Sequence, residues 1–350
     1  MEMENRNENK LKTYCVTGAT GYIGSWLVKT LLERGHNVHA TLRNPEKSFP
    51  LFKSWEGRDR LSLFRADLQE DGSFDEAVRG CDGLFHVAAS MEFGVPDAEN
   101  IDCYVKTKVI DPAIKGTLNV LNACLKSNTV RKIVFTSSIS TLTAKDSSGK
   151  WIPIVDESCQ PPVHQVLKNK ASGWVYVLSK LLAEEAAFKF ARENDMDLIS
   201  VITTTVGGPF LTPTVPASIQ VLLSPITGDP RMFPILAAVN SRMGSIALVH
   251  IEDICSAHIF LMENSKSEGQ YICCTQSCAL SELVKKLSRE YPCSNLQRFD
   301  GEGKDEVPVE ISSKKIRDLG FDFKYTIEDI ITQTMRKCLD YLHLIPTTHS

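Results

Sequence analysis

Short apolar runs alternate with helical patterns through the first two hundred residues. The runs predict buried strands, because a parallel strand covered on both faces is apolar at nearly every position. Between them, apolar residues recur at spacings of three and four, which indicates amphipathic helices. This alternation is typical of a doubly wound parallel sheet. The predicted strands are 12–17, 37–42, 61–65, 83–87, 131–136 and 197–203, and the predicted helices are 25–34, 73–79, 112–127 and 175–192.

The pattern changes at about residue 209. Six prolines from Pro209 to Pro234 break the chain into loops and short segments, because proline interrupts both helices and sheets. We expect this region to build a substrate-binding lobe. Regular elements are predicted again beyond it, as strands at 245–249 and 269–274 and helices at 254–263, 281–291 and 327–342.

A glycine-rich turn joins the first predicted strand to the first helix. Gly18, Gly21 and Gly24 stand three residues apart, with Tyr22 and Ile23 between the last two. Glycines there allow a tight turn and a close approach of the backbone to a pyrophosphate at the helix N-terminus. The alternative is a glycine-rich turn without a ligand, but the strand–helix–strand context favours a dinucleotide site.

The end of the second strand indicates which dinucleotide binds. Arg43 ends this strand and Lys47 follows closely, where an NAD-preferring site usually carries an acid that binds the ribose 2′-hydroxyl. A guanidinium can pair with a 2′-phosphate and stack on adenine, so we predict NADP(H). A solvated arginine on a loop is the alternative. Other cofactor contacts are predicted at three further strand ends, with Asp67 and Leu68, with Val87, Ala88 and Ala89, and with Thr203 and Val206.

Residues 134–180 contain a candidate acid–base unit. Tyr176 and Lys180 are one turn apart on a predicted helix, so their side chains share a face. An ammonium favours the phenolate and lowers the pKa of a nearby phenol, while a hydroxyl from Ser137 or Ser138 could hold a substrate oxygen. The same spacing occurs by chance in many helices, so the prediction depends on the cofactor motif upstream.

Composition and charge narrow the range of partners. A net charge of -4 over 350 residues gives no reason to expect nucleic acid or an anionic membrane. No apolar run approaches the roughly 18 residues of a membrane span, and residues 1–12 lack the features of a signal or transit peptide. The 11 cysteines lie partly in apolar runs, as expected for reduced, buried thiols. We therefore expect a cytoplasmic protein.

No pattern predicts a metal site. The cysteines at 273, 274 and 278 lack a Cys-x-x-Cys pair or a histidine partner. His250, Asp253 and His258 do not have the spacing of an established ligand set. Asp253 is instead predicted to be the N-cap of the helix that follows it.

These motifs together resemble the plant dihydroflavonol reductase-like group of extended short-chain dehydrogenases/reductases. The resemblance extends from about residue 12 to residue 341. It depends on residues 16–24, 41–43, 64–68, 85–88, 135–138, 176–180 with Ala183-Glu184, and 249–258. Residues 225–228, 244–252 and 271–274 are most similar to the anthocyanidin reductase branch.

The resemblance implies an α/β fold, a Rossmann-type doubly wound parallel sheet with a smaller C-terminal substrate lobe. It also implies a catalytic set in which Ser138 binds the substrate oxygen, Tyr176 donates a proton, and Lys180 binds the nicotinamide ribose and lowers the pKa of Tyr176. NADPH would contact the three glycines, Arg43, Asp67 and Lys180. We predict three parts, namely a disordered leader (1–11), an NADP-binding Rossmann domain (12–208) and a mainly substrate-binding lobe (209–350), with 245–274 returning to the Rossmann sheet.

Several positions depart from the family pattern and bear on the substrate. Thr203-Thr204 replaces the usual Pro-Thr, and Thr143 stands where dihydroflavonol reductases carry Asn, as in anthocyanidin reductases. The segments 100–109 and 159–172 could line the substrate entrance. We predict an NADPH-dependent, anthocyanidin reductase-like reductase of a flavonoid or phenolic small molecule. The alternatives are a dihydroflavonol 4-reductase-like or other plant ketone reductase, and a non-catalytic NADPH-binding regulator. The oligomeric state is left open.

Overall fold

The computed structural model describes residues 11–89, 101–146, 148–170, 173–291 and 308–342, with the backbone alone for 47–50. Residues 1–10 of the predicted leader, Asn100, and residues 171–172 of the segment 159–172 therefore lie outside the described part. The division into three parts remains a prediction. The strands are β1 (Thr13–Thr17), β2 (Asn37–Leu42), β3 (Leu61–Arg65), β4 (Gly83–His86), β5 (Lys132–Ser138), β6 (Ile154–Val155), β7 (Asp197–Thr203), β8 (Thr205–Gly207), β9 (Ile246–His250), β10 (Gly269–Cys273), β11 (Gln276–Cys278) and β12 (Glu310–Ile311).

A seven-stranded parallel sheet forms the centre of the molecule, in the order β10-β7-β5-β4-β1-β2-β3. The chain runs outward from β1 through β2 to β3, then crosses to β4 on the other side of β1. Ligands of such sheets bind at this reversal, outside the carboxyl ends of the strands. The predicted Rossmann-type, doubly wound fold is confirmed.

Helices cover both faces of this sheet, because side chains alternate between the faces along each strand. Val134 packs with residues 27–32 and 251–262 on one face, while Ile133 and Phe135 pack with residues 120–124 and 187–191 on the other. The helices are α1 (Tyr22–Glu33), α2 (Pro45–Phe52), α3 (Ile101–Val105), α4 (Asp111–Ser127), α5 (Val163–Asn169), α6 (Trp174–Glu193), α7 (Ala217–Thr227), α8 (Phe233–Met243), α9 (Ile251–Glu263), α10 (Leu280–Glu290), α11 (Lys314–Asp318) and α12 (Ile327–Leu342). Within the described ranges, none of them combines the length and apolarity that a membrane crossing requires.

A second, smaller sheet has the order β11-β9-β8. Its strand β9 pairs in parallel with β8 and antiparallel with β11. The prediction that all of 245–274 returns to the large sheet is therefore wrong for β9, and only β10 joins that sheet. Residues of α7, α8, α10 and α12 pack around the small sheet in a separate apolar cluster that includes Leu222, Leu236, Leu248, Leu283 and Ile330.

Two predicted helices differ from the structure. Residues 73–79 form successive turns, with Asp75 N bonded to Gly72 O and Val78 N bonded to Phe74 O, and the Ser73 hydroxyl is already engaged by the backbone of Asp67. The helical segment predicted from 112 begins earlier, at α3, and reaches α4 through a π-helical turn at Lys106–Ile110.

The glycine turn yields a stability prediction. A Cβ on Gly24 would lie 2.2 Å from Gly18 O, so Gly24→Ala should lower the free energy of unfolding by about 1–3 kcal/mol, as overpacking does. Gly21→Ala is the matched control, because its Cβ would lie 3.2 Å from the same oxygen and its φ is -78°. Urea unfolding measures both variants. Equal losses would show that contact with Gly18 does not dictate the glycine at 24.

Candidate active site

The glycine turn brings the ends of β1 and β4 into close contact. Gly18 has a φ of +69°, which favours glycine, and a Cβ there would lie 2.9 Å from Ala88 Cα. Gly21 N donates to Gly18 O at 2.9 Å, and α1 begins directly after it. The first N–H groups of α1 thus follow a turn against which the backbone and small side chain of Ala88 lie. This geometry fits a pyrophosphate.

The Thr17 hydroxyl sets the direction of the chain after β4. It accepts hydrogen bonds from Val87 N and Ala88 N, each at 3.0 Å, and lies 2.9 Å from His86 Nδ1. Because both lone pairs are occupied, the hydroxyl proton must go to Nδ1, which leaves the His86 proton on Nε2. Of the three predicted residues here, Val87 and Ala88 are thus held beside the glycine motif, and Ala89, which follows them, is exposed.

Tyr22 and Ile23, two predicted cofactor-binding residues in the first turn of α1, have side chains that contact other parts of the protein. The Tyr22 hydroxyl donates to Gly208 O at 3.0 Å, and Trp26 Nε1 beside it donates to Pro209 O at 3.0 Å. Ile23 packs against the core of the large sheet. These contacts fix the chain where it leaves β8. A cofactor contact through the backbone of Tyr22 or Ile23 stays a prediction.

The predicted 2′-phosphate site lies beside the glycine turn. Ala19 N donates to Thr41 O at 3.2 Å, which holds the end of β2 against the turn. Arg43 follows there, is exposed, and forms no ion pair with any described residue. Lys47 lies in α2, but its side chain is outside the described part.

Asp67 and Leu68 follow the neighbouring strand β3. Asp67 Oδ1 accepts from Gln69 N at 2.9 Å, which leaves the carboxylate partly exposed. Leu68 packs against the core on the α4 face, and a Cβ on Gly116 of α4 would lie 2.8 Å from Leu68 Cβ. Asp67 is therefore available to a ligand, whereas the Leu68 side chain mainly supports the strand end.

Ser138, Tyr176 and Lys180 lie together where β5 meets α6. The Ser138 hydroxyl is hydrogen-bonded to that of Tyr176 and also accepts from Ser140 N at 3.2 Å. Lys180 Nζ donates to Thr136 O at 2.8 Å, and the residue is only 7% exposed. The structure thus assembles the predicted set.

The charge states of the set differ in part from the prediction. Burial lowers the pKa of Lys180 to about 8, and nearby Glu184 opposes this shift. Burial raises the pKa of Tyr176, and the hydrogen bond from Ser138 offsets only part of the rise. The pKa of Tyr176 is therefore raised on balance, because desolvation of the phenolate exceeds the stabilising hydrogen bond from Ser138. Tyr176 is consequently protonated at neutral pH. A lowering effect of Lys180 stays a prediction.

The side chains of Thr203 and Val206 contact other residues of the protein. Thr203 Oγ1 donates to Ser137 O at 3.2 Å, so the hydroxyl ties the ends of β7 and β5 together. Val206 is 4% exposed and belongs to the core of the large sheet. Both side chains are thus buried, and a cofactor contact of either residue stays a prediction.

The histidines and the acid considered as metal ligands have structural partners. His258 Nδ1 donates to Ile254 O at 2.7 Å, so its Nε2 accepts from Thr136 Oγ1 at 2.9 Å. His250, not Asp253, is the N-cap of α9. The prediction for Asp253 is wrong because its carboxylate instead accepts from two backbone N–H groups of the segment before α12.

Sequence reasoning missed one functional candidate, Glu184. This carboxylate is 2% exposed and accepts hydrogen bonds from Ser137 Oγ at 2.9 Å, from Gln270 Nε2 at 3.0 Å and from Ser200 Oγ. The signal was present in the sequence, because Ser137 and Ser200 are polar interruptions of apolar strands and Glu184 is one turn beyond Lys180.

Comparisons with known proteins agree with this geometry. The model of the NAD dependent epimerase/dehydratase family matches residues 14–274, and the chain belongs to that family. A Ginkgo biloba protein provisionally named as an anthocyanidin reductase is 46% identical over 331 residues, covering 92% of this chain and 93% of that protein. A bifunctional dihydroflavonol 4-reductase/flavanone 4-reductase of Malus domestica is 43% identical over 331 residues, covering 93% and 90%.

A solved structure supports the same grouping. Vestitone reductase from alfalfa superimposes with a TM-score of 0.77 at 32% identity, covering 95% of this chain and all of that one. The predicted resemblance to plant dihydroflavonol reductase-like proteins is confirmed, and so is the prediction of an oxidoreductase of the short-chain dehydrogenase/reductase class. Dependence on a nicotinamide cofactor is confirmed at the level of the family.

Buried imidazoles near the site predict acid sensitivity. The pKa is lowered to about 3 for His86 and to about 4 for His250 and His258, chiefly by burial. Their unfolded value is about 6.5, so unfolding takes up protons below that pH, and each imidazole lowers the free energy of unfolding by about 1.4 kcal/mol per pH unit down to its folded pKa.

Urea unfolding between pH 7.5 and 5 tests this prediction. His258→Gln keeps a hydrogen-bonding side chain opposite Thr136 but cannot titrate. We expect it to reduce the pH slope of the free energy of unfolding by about a third, since it removes one of three such groups. A slope equal to that of the parent would contradict the prediction.

Proposed function

We propose that the protein is an NADPH-dependent reductase of a flavonoid or related phenolic small molecule, with anthocyanidin reductase-like activity as the first candidate. One observation carries the proposal: the hydroxyls of Ser138 and Tyr176 are hydrogen-bonded to each other beside buried Lys180, at the same edge of the parallel sheet as the glycine turn and two strands away from it. Bound NADPH supplies the hydride. The named relatives support the substrate class.

The raised pKa of Tyr176 suits the role of a proton donor. A phenol that stays protonated at neutral pH can give its proton to the anion that develops on the substrate. The Ser138 hydroxyl, already bonded to Tyr176, would hold the substrate oxygen within reach of the same proton. Ser138 and Tyr176 are both half-buried, so a substrate can reach their hydroxyls.

Lys180 is suited to bind the cofactor's ribose. An ammonium carries three N–H donors, of which one goes to Thr136 O, so two remain for ribose hydroxyls. Exposed Arg43 beside the turn would bind the 2′-phosphate, which favours NADP(H) over NAD(H). A non-catalytic regulator is disfavoured because the complete Ser–Tyr–Lys set is present and assembled.

The second candidate is reduction of a carbonyl, as in dihydroflavonol 4-reductases or other plant ketone reductases. The bifunctional dihydroflavonol 4-reductase/flavanone 4-reductase of Malus domestica, at 43% identity, favours it. Thr143 favours the first candidate, because a hydroxyl replaces the amide at that position. Its Oγ1 accepts from Lys145 N at 3.2 Å, and it lines a cavity of about 220 Å³ with Ile152, Cys159 and Gln165.

The cofactor preference can be tested at Arg43. We expect NADPH to bind more tightly than NADH, and Arg43→Ala to remove most of the difference, because a charge-assisted hydrogen bond contributes about 1.5–3 kcal/mol. Fluorescence titration of both cofactors measures this. Lys53→Ala removes another exposed cation nearby in sequence and should leave the preference intact. Equal affinities of the parent protein for the two cofactors would refute the assignment.

The proton-donor role can be tested at Tyr176. Tyr176→Phe deletes only the hydroxyl, so folding and NADPH binding should survive while turnover falls by about 10²–10⁴-fold, the usual contribution of general acid catalysis. Lys180→Met should weaken NADPH binding, and turnover with it, because it removes the N–H donors proposed for the ribose hydroxyls. Cofactor oxidation is measured against a panel of anthocyanidins, dihydroflavonols and simple ketones.

The panel also separates the two candidate reactions. An anthocyanidin is a cation whose ring carbon accepts hydride directly, so a proton donor matters less for it than for a ketone. Near-parental turnover by Tyr176→Phe would refute the proton-donor role and favour reduction of a cationic ring.

A further inference from the structure

Three consecutive residues of β5 bind three residues of α6 that are spaced one turn apart. Thr136 O accepts from Lys180 Nζ at 2.8 Å, Ser137 Oγ donates to Glu184 at 2.9 Å, and Ser138 is bonded to Tyr176. Residues four apart on a helix share a face, so this face of α6 is fastened to the strand at three points. Two of these points are the proposed acid–base set, and the third is Glu184.

The Glu184 carboxylate also joins neighbouring strands of the large sheet. Its donors Ser137, Ser200 and Gln270 come from β5, β7 and β10, which are adjacent in the sheet. Ser200 is the register partner of Gln270 on one side and of Phe135 on the other. The carboxylate thus fixes the position of α6 along the strands, and with it the distance of Tyr176 and Lys180 from Ser138.

Glu184 is also the negative charge that acts on Lys180. Three donors converge on its oxygens, the environment that an ionised carboxylate accepts. It lies one turn along α6 and opposes the effect of burial on the pKa of Lys180. The other titratable groups that face Lys180 are neutral near pH 7: Tyr176 on the same helix, and His86 on β4, whose pKa is about 3.

We propose that Glu184 is a positioning residue of this active site, which holds Lys180 charged and in register with Ser138 without touching substrate or cofactor. The proposal deepens the proposed function and rests on Lys180 binding NADPH. A purely structural carboxylate would contribute to folding only. A positioning carboxylate must in addition determine the pH at which Lys180 loses its proton.

The test is the pH dependence of NADPH binding, measured by fluorescence titration between pH 6.5 and 9.5. The parent should lose affinity as pH rises through about 8, where Lys180 deprotonates. Glu184→Gln keeps the size of the side chain but removes its charge. The midpoint of this loss should then move down by about 1 pH unit or more, as expected for removal of a nearby opposite charge.

Two variants serve as matched controls. Glu185→Gln makes the same change in net charge at an exposed neighbour on α6. Ser200→Ala removes one hydrogen-bond donor and keeps the carboxylate. Both should retain the parent midpoint. A Glu184→Gln protein with a lowered melting temperature but the parent midpoint would overturn the proposal and leave Glu184 a structural residue.

A charge-conserving variant covers the case in which Glu184→Gln does not fold. Glu184→Asp keeps the charge but shortens the reach to Ser137, so the midpoint should stay while turnover of the best panel substrate falls. Parental turnover in Glu184→Asp would overturn the positioning role. Failure of the proposed substrate class would instead appear as no turnover by the parent, with the shift in the binding midpoint still measurable.

Discussion

The burial of one ammonium constrains the whole region around β5 and α6. Lys180 is almost completely removed from water, and an isolated cation there would be costly unless it were paired and hydrogen-bonded. The fold compensates with the Thr136 carbonyl and with Glu184 one turn away. This explains why the strand ends in Ser137 and Ser138, whose hydroxyls bind Glu184 and Tyr176 on the helix that carries the cation. The Thr136 hydroxyl, by contrast, binds His258 of α9.

The same logic applies at the reversal of the sheet. Thr17 ends β1, and its hydroxyl satisfies two backbone N–H groups that follow β4 and an imidazole nitrogen. Buried polar groups without partners are costly. By accepting from the backbone N–H groups of Val87 and Ala88, the Thr17 hydroxyl allows this segment to pass close to Gly18. The backbone and small side chain of Ala88 therefore lie against Gly18, and the larger side chains of Tyr22 and Trp26 bind the backbone of Gly208 and Pro209.

Local pattern predicted most of the large sheet, because each of its strands is an apolar run and β2, β3 and β7 have the predicted bounds. It failed where contacts with residues outside the element decide the outcome. Ser73 is hydrogen-bonded to Asp67, and its segment forms turns. Asp253 binds the segment before α12 rather than the end of its own helix. Strand β9 pairs with β8 outside the large sheet. The spacing of Tyr176 and Lys180 was readable, but the direction of the Tyr176 pKa depends on burial, which a spacing does not contain.

The three donors to Glu184 also have a consequence for how the chain folds. They stand 47, 16 and 86 residues from it in sequence, and contacts of such separation form only after the intervening loops close. Until β10 joins the sheet, one oxygen of this carboxylate lacks its Gln270 donor. Burying the carboxylate before that point would remove it from water without replacing this hydrogen bond, which disfavours early burial of this face of α6. Completion of this hydrogen-bonded face of α6 therefore depends on the arrival of β10, a strand at the edge of the sheet.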